Sequence, residues 1–443
     1  MSKIKSIENL LQDAGIPAFY KVKYNICSDE IVNIEAAVLG ALQQEDALST
    51  VHAGARVAIT AGSREVNHID VILKTLIGAL TARGAKPFII PAMGSHGGAT
   101  AEGQKKMLEQ LNITSGSMGV PVVSSMETVK IGSTDTGIPV QVAKDALAAD
   151  YIIPVGRIKP HTDFKGRYES GLMKMMAIGL GKQQGAAVCH KLGIANMSQN
   201  VLAIGKKVLE TCSIPFGIGI IENAFHGTYR IVAVPAEKIE QEEPKLLEEA
   251  KALVPVIPFE KIDIIVCEEM GKDISGTGID SNVVGRSSSL GVSRPYAEKI
   301  GVFRLTEKSH GNANGMGLAD CITRRFLETL EFEQTYPNAI TSAETNAVKI
   351  PAVMETDELC VKFLIKTCTG SGRDGLRIVW IKNTLSLDDF YISGGLYKEA
   401  LRIHDLKTED TPHRVTFDSK GCYMQFQSIL QRRPDITEII YEK

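Results

Sequence analysis

The sequence predicts an α/β fold of two domains with largely parallel sheets, on three observations. Short apolar runs end abruptly in glycine and polar residues. Between them lie stretches with the 3.6-residue apolar period of amphipathic helices. The chain of 443 residues also exceeds one domain, at roughly 100–200 residues each.

The elements follow in order. Val57–Thr60 runs into Ala61-Gly62-Ser63-Arg64. Ile69–Arg83 reads as a helix, with apolar residues at Ile69, Ile72, Leu73, Leu76, Ile77 and Leu80 and Gly84 as its stop. Pro87–Ala92 runs into Met93-Gly94-Ser95-His96-Gly97-Gly98. Thr100–Leu111 reads as a helix with Thr100 as N-cap and Glu102 in its first turn. Tyr151–Val155 runs into Gly156–His161, and Ile262–Cys267 into Glu268–Lys272. Such runs, bounded by breakers, read as buried parallel strands. Val201–Thr211 and Pro244–Leu253 complete the helices, the latter with Pro244 in its first turn. Strands alternating with helices define the α/β class, whose ligands collect outside the carboxyl ends of the strands. The glycine-rich segments all fall at that edge.

A boundary is expected near residue 258, at the Pro-punctuated stretch Val254–Pro258. That divides the chain into a first domain over 1–258 and a second over 259–443. The last segment, Arg414–Lys443, either completes the second domain or returns to the first.

Composition excludes several functions. Lys and Arg total 49 against 52 for Asp and Glu, a net charge of −3. Such a chain has no global field to hold nucleic acid or an anionic membrane. The longest apolar runs are far shorter than a membrane span. Met1–Asn9 lacks the apolar stretch of a signal peptide, so a cytoplasmic protein is expected. Eight cysteines without a C-x-x-C pair give no zinc or disulfide framework, and one Trp gives no base-stacking platform.

Four constellations remain. Gly94-Ser95-His96-Gly97-Gly98 precedes a helix whose free N–H groups suit an anion; alone it is equally a tight turn with an incidental histidine. Arg157–Lys174 packs three Lys, two Arg, one His and two carboxylates behind a strand. Its end, Ser170–Leu180, is apolar around Lys174, which either snorkels or is used as a nucleophile or attachment point. His190 follows an apolar turn beside Cys189 and reads as a satisfied core histidine or a metal ligand. Gly271–Asn282, with Lys272 and Asp273, is a flexible loop or a phosphate or carboxylate site. It is no Walker A loop, and no G-x-S-x-G, H-E-x-x-H or complete G-x-G-x-x-G follows a strand.

Together, in order and spacing, these segments resemble the nickel-pincer lactate racemase family of 2-hydroxy-acid racemases and epimerases. The resemblance implies two α/β domains with the active site in the cleft between them. It implies a nickel-pincer nucleotide (the nickel complex of pyridinium-3,5-bisthiocarboxylic acid mononucleotide), joined through one arm to a lysine and ligated by a histidine. On it, His96 and His161 are the paired acid/base groups, Lys174 in S-G-x-x-K is the attachment lysine, and His190, sixteen residues later, is the nickel ligand. Arg64 with Ser63 anchors cofactor or substrate anion. Gly94, Gly97 and Gly98 line the cofactor, and Lys272 and Asp273 meet the substrate. The chain departs from lactate racemase at Ala61, where the family has Asp, and in a longer stretch between His161 and Lys174.

The implied partners are a small hydroxy acid, a sugar acid among the candidates, and the enzymes that make the cofactor. The chemistry is consistent with the residue types. A C–H beside a hydroxyl and a carboxylate is barely acidic, so hydride removal coupled to loss of the hydroxyl proton avoids a carbanion. Two histidines, one on each face, then exchange that proton. The rivals are an NAD-dependent oxidoreductase or isomerase and a non-catalytic small-anion-binding protein. Tight NAD binding marks the first; ligand stabilisation without turnover marks the second.

Overall fold

The computed structural model describes residues 4–63, 66–289, 291–292, 294–369 and 375–429. Its α/β architecture is as expected, and it divides into two compact units. One spans Cys27–Pro255 with Thr341–Ala343; the other joins Met1–Ile26 to Val256–Ile340 and Glu344–Lys443. The first 26 residues thus leave the expected first domain. The strand Phe19–Tyr24 pairs antiparallel with both Asp389–Ser393 and Leu406–Phe417, so backbone pairing carries the N-terminal segment to the other unit.

In the unit of Cys27–Pro255 the strand Arg56–Ala61 lies between Lys86–Pro91 and Tyr151–Ile153, all parallel. Val155–Arg157 pairs parallel with Phe216–Glu222, which pairs antiparallel with Thr228–Pro235. The run expected as one strand, Tyr151–Val155, is therefore divided at Pro154. Proline has no N–H for a ladder, and the chain changes partner there. Pro154 still accepts from Ile218 N at 2.8 Å, and Val155 N donates to Thr60 Oγ1 at 2.8 Å. Both faces of the sheet are covered: Val57 and Ile59 enter one apolar core, Ala58 the other. This two-sided burial explains the unbroken apolar runs.

Local signals place the helices. Ile69–Ala82 ends where Gly84 takes φ +81°. Ala101–Gln110 starts with the Thr100 hydroxyl accepting from Gly103 N. One expectation fails: the helix containing Pro244 runs from Ile239 to Leu253, so the proline lies inside it rather than in its first turn. An interior proline frees the carbonyl four residues back. Here that carbonyl, of Glu240, accepts from the buried Tyr168 Oη at 2.6 Å.

The other unit is built on a sheet of nine strands among the described residues. Ala352–Met354, Cys321–Thr323, Tyr296–Leu305, Lys261–Met270 and Ile378–Ile381 run parallel in that spatial order. Asp389–Ser393, Phe19–Tyr24, Leu406–Phe417 and Tyr423–Ser428 extend it antiparallel. The last segment, as far as it is described, thus completes this unit. No helix among the described residues is long and apolar enough to cross a membrane.

Tyr168→Phe is expected to destabilise the protein by about 1–3 kcal/mol, the cost of an unsatisfied buried carbonyl. In Pro244→Ala, which restores the helical donor, the same change is expected to cost less. Urea unfolding of the four proteins of this cycle checks the coupling.

Candidate functional site

Three parallel strands of the unit Cys27–Pro255 end where a loop carries a residue singled out above. Arg56–Ala61 leads to Gly62-Ser63, Lys86–Pro91 to His96, and Val155–Arg157 to His161. Arg64 lies outside the described residues. Packing draws the loops together. A Cβ on Gly94 would stand 3.2 Å from Ile178 Cγ2 and 3.5 Å from Ala186 Cβ. A Cβ on Gly62 would stand 3.4 Å from Met175 Cε. The His96 loop and the Ser63 loop therefore rest on the segment that follows Lys174, and Gly94 also on the helix Lys182–Lys191 that carries His190.

Lys174 ends a short helical turn, Leu172–Lys174, and Met175–Gly179 continues as one turn of π-helix. Such turns store strain and concentrate at functional sites. Lys174 Nζ lies 5.7 Å from the centroid of the Phe164 ring. The same ring stacks on His161, centroids 4.2 Å apart and planes 28° from parallel. Phe164 is buried and bridges the lysine and the histidine.

The two acid/base candidates hold opposite tautomers. His96 Nδ1 lies 2.9 Å from Met93 O. A carbonyl only accepts, so Nδ1 carries the hydrogen and, in the neutral ring, Nε2 keeps the lone pair. His161 Nδ1 instead accepts from Asp163 N at 3.0 Å, which puts the hydrogen of the neutral ring on Nε2. In the neutral rings one Nε2 presents a lone pair and the other an N–H.

His190 is half-buried, but its Nδ1 is buried and has no hydrogen-bond partner among the described residues. An orphaned buried imidazole nitrogen is costly unless it takes a ligand. Burial holds its pKa below the ordinary 6.5, and the Lys174 ammonium lowers it further. The ring is thus neutral, the form that ligates metals. Cys189 is buried beside it, and burial pushes its thiol up to about 11, so it is protonated at neutral pH. The residues fit the lysine-tethered, histidine-ligated group that the motifs imply.

Three carboxylates hold the loops. Glu169, fully buried, accepts from His161 N at 2.6 Å and Gly166 N at 3.3 Å, and pairs with Lys251 at 3.1 Å. Glu222 accepts from Asn67 N at 2.8 Å and is paired with Arg157. Glu243, from the Ile239–Leu253 helix, accepts from Met173 N at 2.9 Å and caps the turn bearing Lys174. A Cβ on Gly171 would collide with that carboxylate, which is the physical need for glycine in Ser170-Gly171-Leu-Met-Lys174. Burial raises the Glu243 pKa from 4.5 to about 7. None of these was singled out as a site residue from sequence. Glu243 had a signal: it falls in register with Ile239, Leu246, Leu247 and Ala250 on the buried face of its helix.

Other candidates sit differently. Gly97 takes φ +67°, and a Cβ there would stand 2.6 Å from Gln104 N, so its backbone covers the start of the Ala101–Gln110 helix. Gly98, at φ +63°, has open space around it. Lys272 and Asp273 belong to the other unit. Lys272 Nζ donates to Gly276 O at 2.6 Å, and Asp273 Oδ1 accepts from Thr306 Oγ1 at 2.5 Å. In that unit Asp263, Glu298 and Cys368 each bring a ligand atom within 4.8 Å of one another. Their carboxylates already accept from Arg377 N and Thr369 N.

Residues 6–201 match the model of the lactate racemase N-terminal domain. Over that stretch the chain is similar to the N-terminal domain of lactate racemases. All four residues proposed from motifs as acid/base pair, tether and metal ligand lie within the matched segment. Among curated proteins, none matches the chain. Among solved structures it is similar to the lactate racemase apoprotein from Thermoanaerobacterium thermosaccharolyticum, at 14% identity and a TM-score of 0.44. That likeness covers 65% of this chain and 74% of the other. At these values it says nothing about residues or activity. The domain match supports a racemase-type function.

Glu243 ionises near 4.5 in the unfolded chain and near 7 in the folded one. The fold therefore favours its protonated form, and that contribution, complete below 4.5, is lost as pH rises through 7. Relative to Glu243→Gln, the parent protein is expected to lose about 3 kcal/mol of stability between roughly pH 4 and 8. Urea unfolding across this range checks it; equal slopes in both proteins contradict it.

Proposed function

We propose that the protein is a racemase or epimerase of a 2-hydroxy acid that works with a lysine-tethered nickel-pincer nucleotide. The observation that carries this reading is His190: a neutral imidazole with a buried, orphaned nitrogen, electrostatically coupled to Lys174, in a stretch that matches the lactate racemase N-terminal domain. Lys174 would hold the group covalently and His190 would ligate its metal. When bound, that group supplies reversible hydride chemistry at the substrate carbon.

The chain's own residues do the rest. His96, with its lone pair on Nε2, takes the hydroxyl proton of one enantiomer. His161 returns a proton from Nε2 to the oxygen when the flattened carbon is rebuilt from the other face, acting as the imidazolium and left neutral by the transfer. In the reverse direction the roles exchange, with His96 then the imidazolium and His161 the neutral base. The stacked Phe164 and the Glu169 bond fix the plane and origin of the His161 ring. Arg64 and Ser63 would receive the carboxylate, as bidentate cationic donors do. Lys272 and Asp273 are proposed as further substrate contacts, and Gly94, Gly97 and Gly98 as cofactor contacts. The substrate is a small hydroxy acid, with sugar acids among those to be screened, and a cytoplasmic setting suits a protein loaded by cofactor-making enzymes.

Two outcomes test this. Protein made alongside the cofactor-synthesis enzymes is expected to carry a covalent adduct on Lys174 and about one nickel per chain. Lys174→Ala is expected to lose the adduct, and an unchanged adduct mass on that variant refutes the tether. Separately, His96→Asn and His161→Asn are each expected to slow racemisation in both directions by about 10²–10⁴-fold, read by polarimetry from either enantiomer. Full activity in either variant overturns the two-histidine scheme.

A further inference from the structure

Lys182 is 1% exposed, burial lowers its pKa to about 8, which leaves it mainly charged at neutral pH, and among the described residues no carboxylate is hydrogen-bonded to it. A buried ammonium is expensive, and an apolar side chain of similar length would fill the same space. Its contacts show what the charge does. Nζ donates to Pro91 O at 2.5 Å, the last carbonyl of the strand that feeds the His96 loop. It also donates to Gln104 Oε1 at 3.1 Å. Gln104, itself fully buried, donates through Nε2 to Gly94 O at 2.9 Å and His96 O at 3.3 Å.

The order of this relay is set by chemistry. An ammonium has no acceptor, so the amide of Gln104 must turn its oxygen to Lys182. Its NH₂ is then forced towards the two loop carbonyls, which can only accept. Without the ammonium, the amide oxygen loses its donor and only the two loop carbonyls hold the amide. Lys182 is also the first residue of the helix that ends in His190, and it takes φ +54° there. The relay therefore ties the start of the His190 helix to the backbone of His96.

We infer that Lys182, acting through Gln104, is a positioning residue that fixes the His96 loop for proton transfer. The part that concerns turnover rests on the racemase reading; the part that concerns His96 does not. Two measurements keep them apart. The first uses apo protein labelled with ¹⁵N in histidine, with the His96 ring assigned by its loss in His96→Asn. Parent protein is expected to show the Nδ1–H tautomer. Lys182→Met is expected to show a mixture of tautomers, and Lys182→Arg to restore the parent pattern. Gln104→Glu serves if Lys182→Met does not fold, since it keeps an oxygen on Lys182 and removes the donor to Gly94 O and His96 O. It is expected to show the same mixture.

The second measurement uses loaded enzyme. Lys182→Met is expected to lower kcat by about 10²-fold with KM little changed, as for a misplaced catalytic group. A folded Lys182→Met or Gln104→Glu whose His96 tautomer equals the parent's overturns the inference, whatever the activity. An altered tautomer in a protein that racemises no hydroxy acid leaves the positioning standing and removes the racemase reading instead.

Discussion

Loops that leave the ends of parallel strands have no ladder to bond to, and every amide they bury needs a partner. In the unit that carries the candidate site this need is met by three carboxylates reaching in from elsewhere in the chain. Glu169 takes the amide of His161, Glu222 that of Asn67, and Glu243 that of Met173. Each holds one loop at the edge where the site lies. Their cost is desolvation, visible in the raised pKa of Glu243. Their benefit is geometric, since the residues they hold flank or carry the histidine, the segment proposed to receive the substrate anion, and the lysine.

The same low-dielectric surroundings explain the state of the ionisable groups. Lys174 and His190 repel one another as cations, and burial opposes charge on the histidine. A lysine tethered through its nitrogen loses its charge, and the repulsion on His190 goes with it. Burial remains, so the imidazole stays neutral before and after. Cys189, next in sequence to His190, is kept as a thiol by the same burial, which separates a soft but protonated sulfur from a neutral, available nitrogen.

Much of the fold is legible because its signals are local. The run Val57–Thr60, the period of Ile69–Arg83 and the Thr100 cap each report on neighbours in sequence, and each is found in place. Long-range pairing is less legible. Nothing in Phe19–Tyr24 says that its partners lie nearly four hundred residues away, and nothing in Tyr151–Val155 says that Pro154 divides it between two partners. The site divides in the same way. His96, His161, Lys174 and His190 stand out as odd residues beside glycines or in apolar surroundings. Glu169 hides among other charges and Lys182 among glycines and glutamines, and only three-dimensional burial distinguishes them from a solvated face. Glu243 and Gln104 are intermediate: each lies on the apolar face of its helix, where a polar residue is conspicuous once the register is known.

The glycines sharpen what a motif means. Gly171 makes room for a carboxylate, Gly97 for the first turn of a helix, and Gly94 for Ile178 and Ala186. These are demands of the chain on itself, met before any ligand arrives. A motif such as S-G-x-x-K therefore joins two kinds of requirement: a glycine for the scaffold and a lysine for the chemistry. Between His161 and Lys174, Glu169 ties Gly166 N and His161 N to one carboxylate, while the Phe164 ring faces both His161 and Lys174. The buried bond and the shared ring, rather than spacing along the chain, thus keep the histidine and the lysine together.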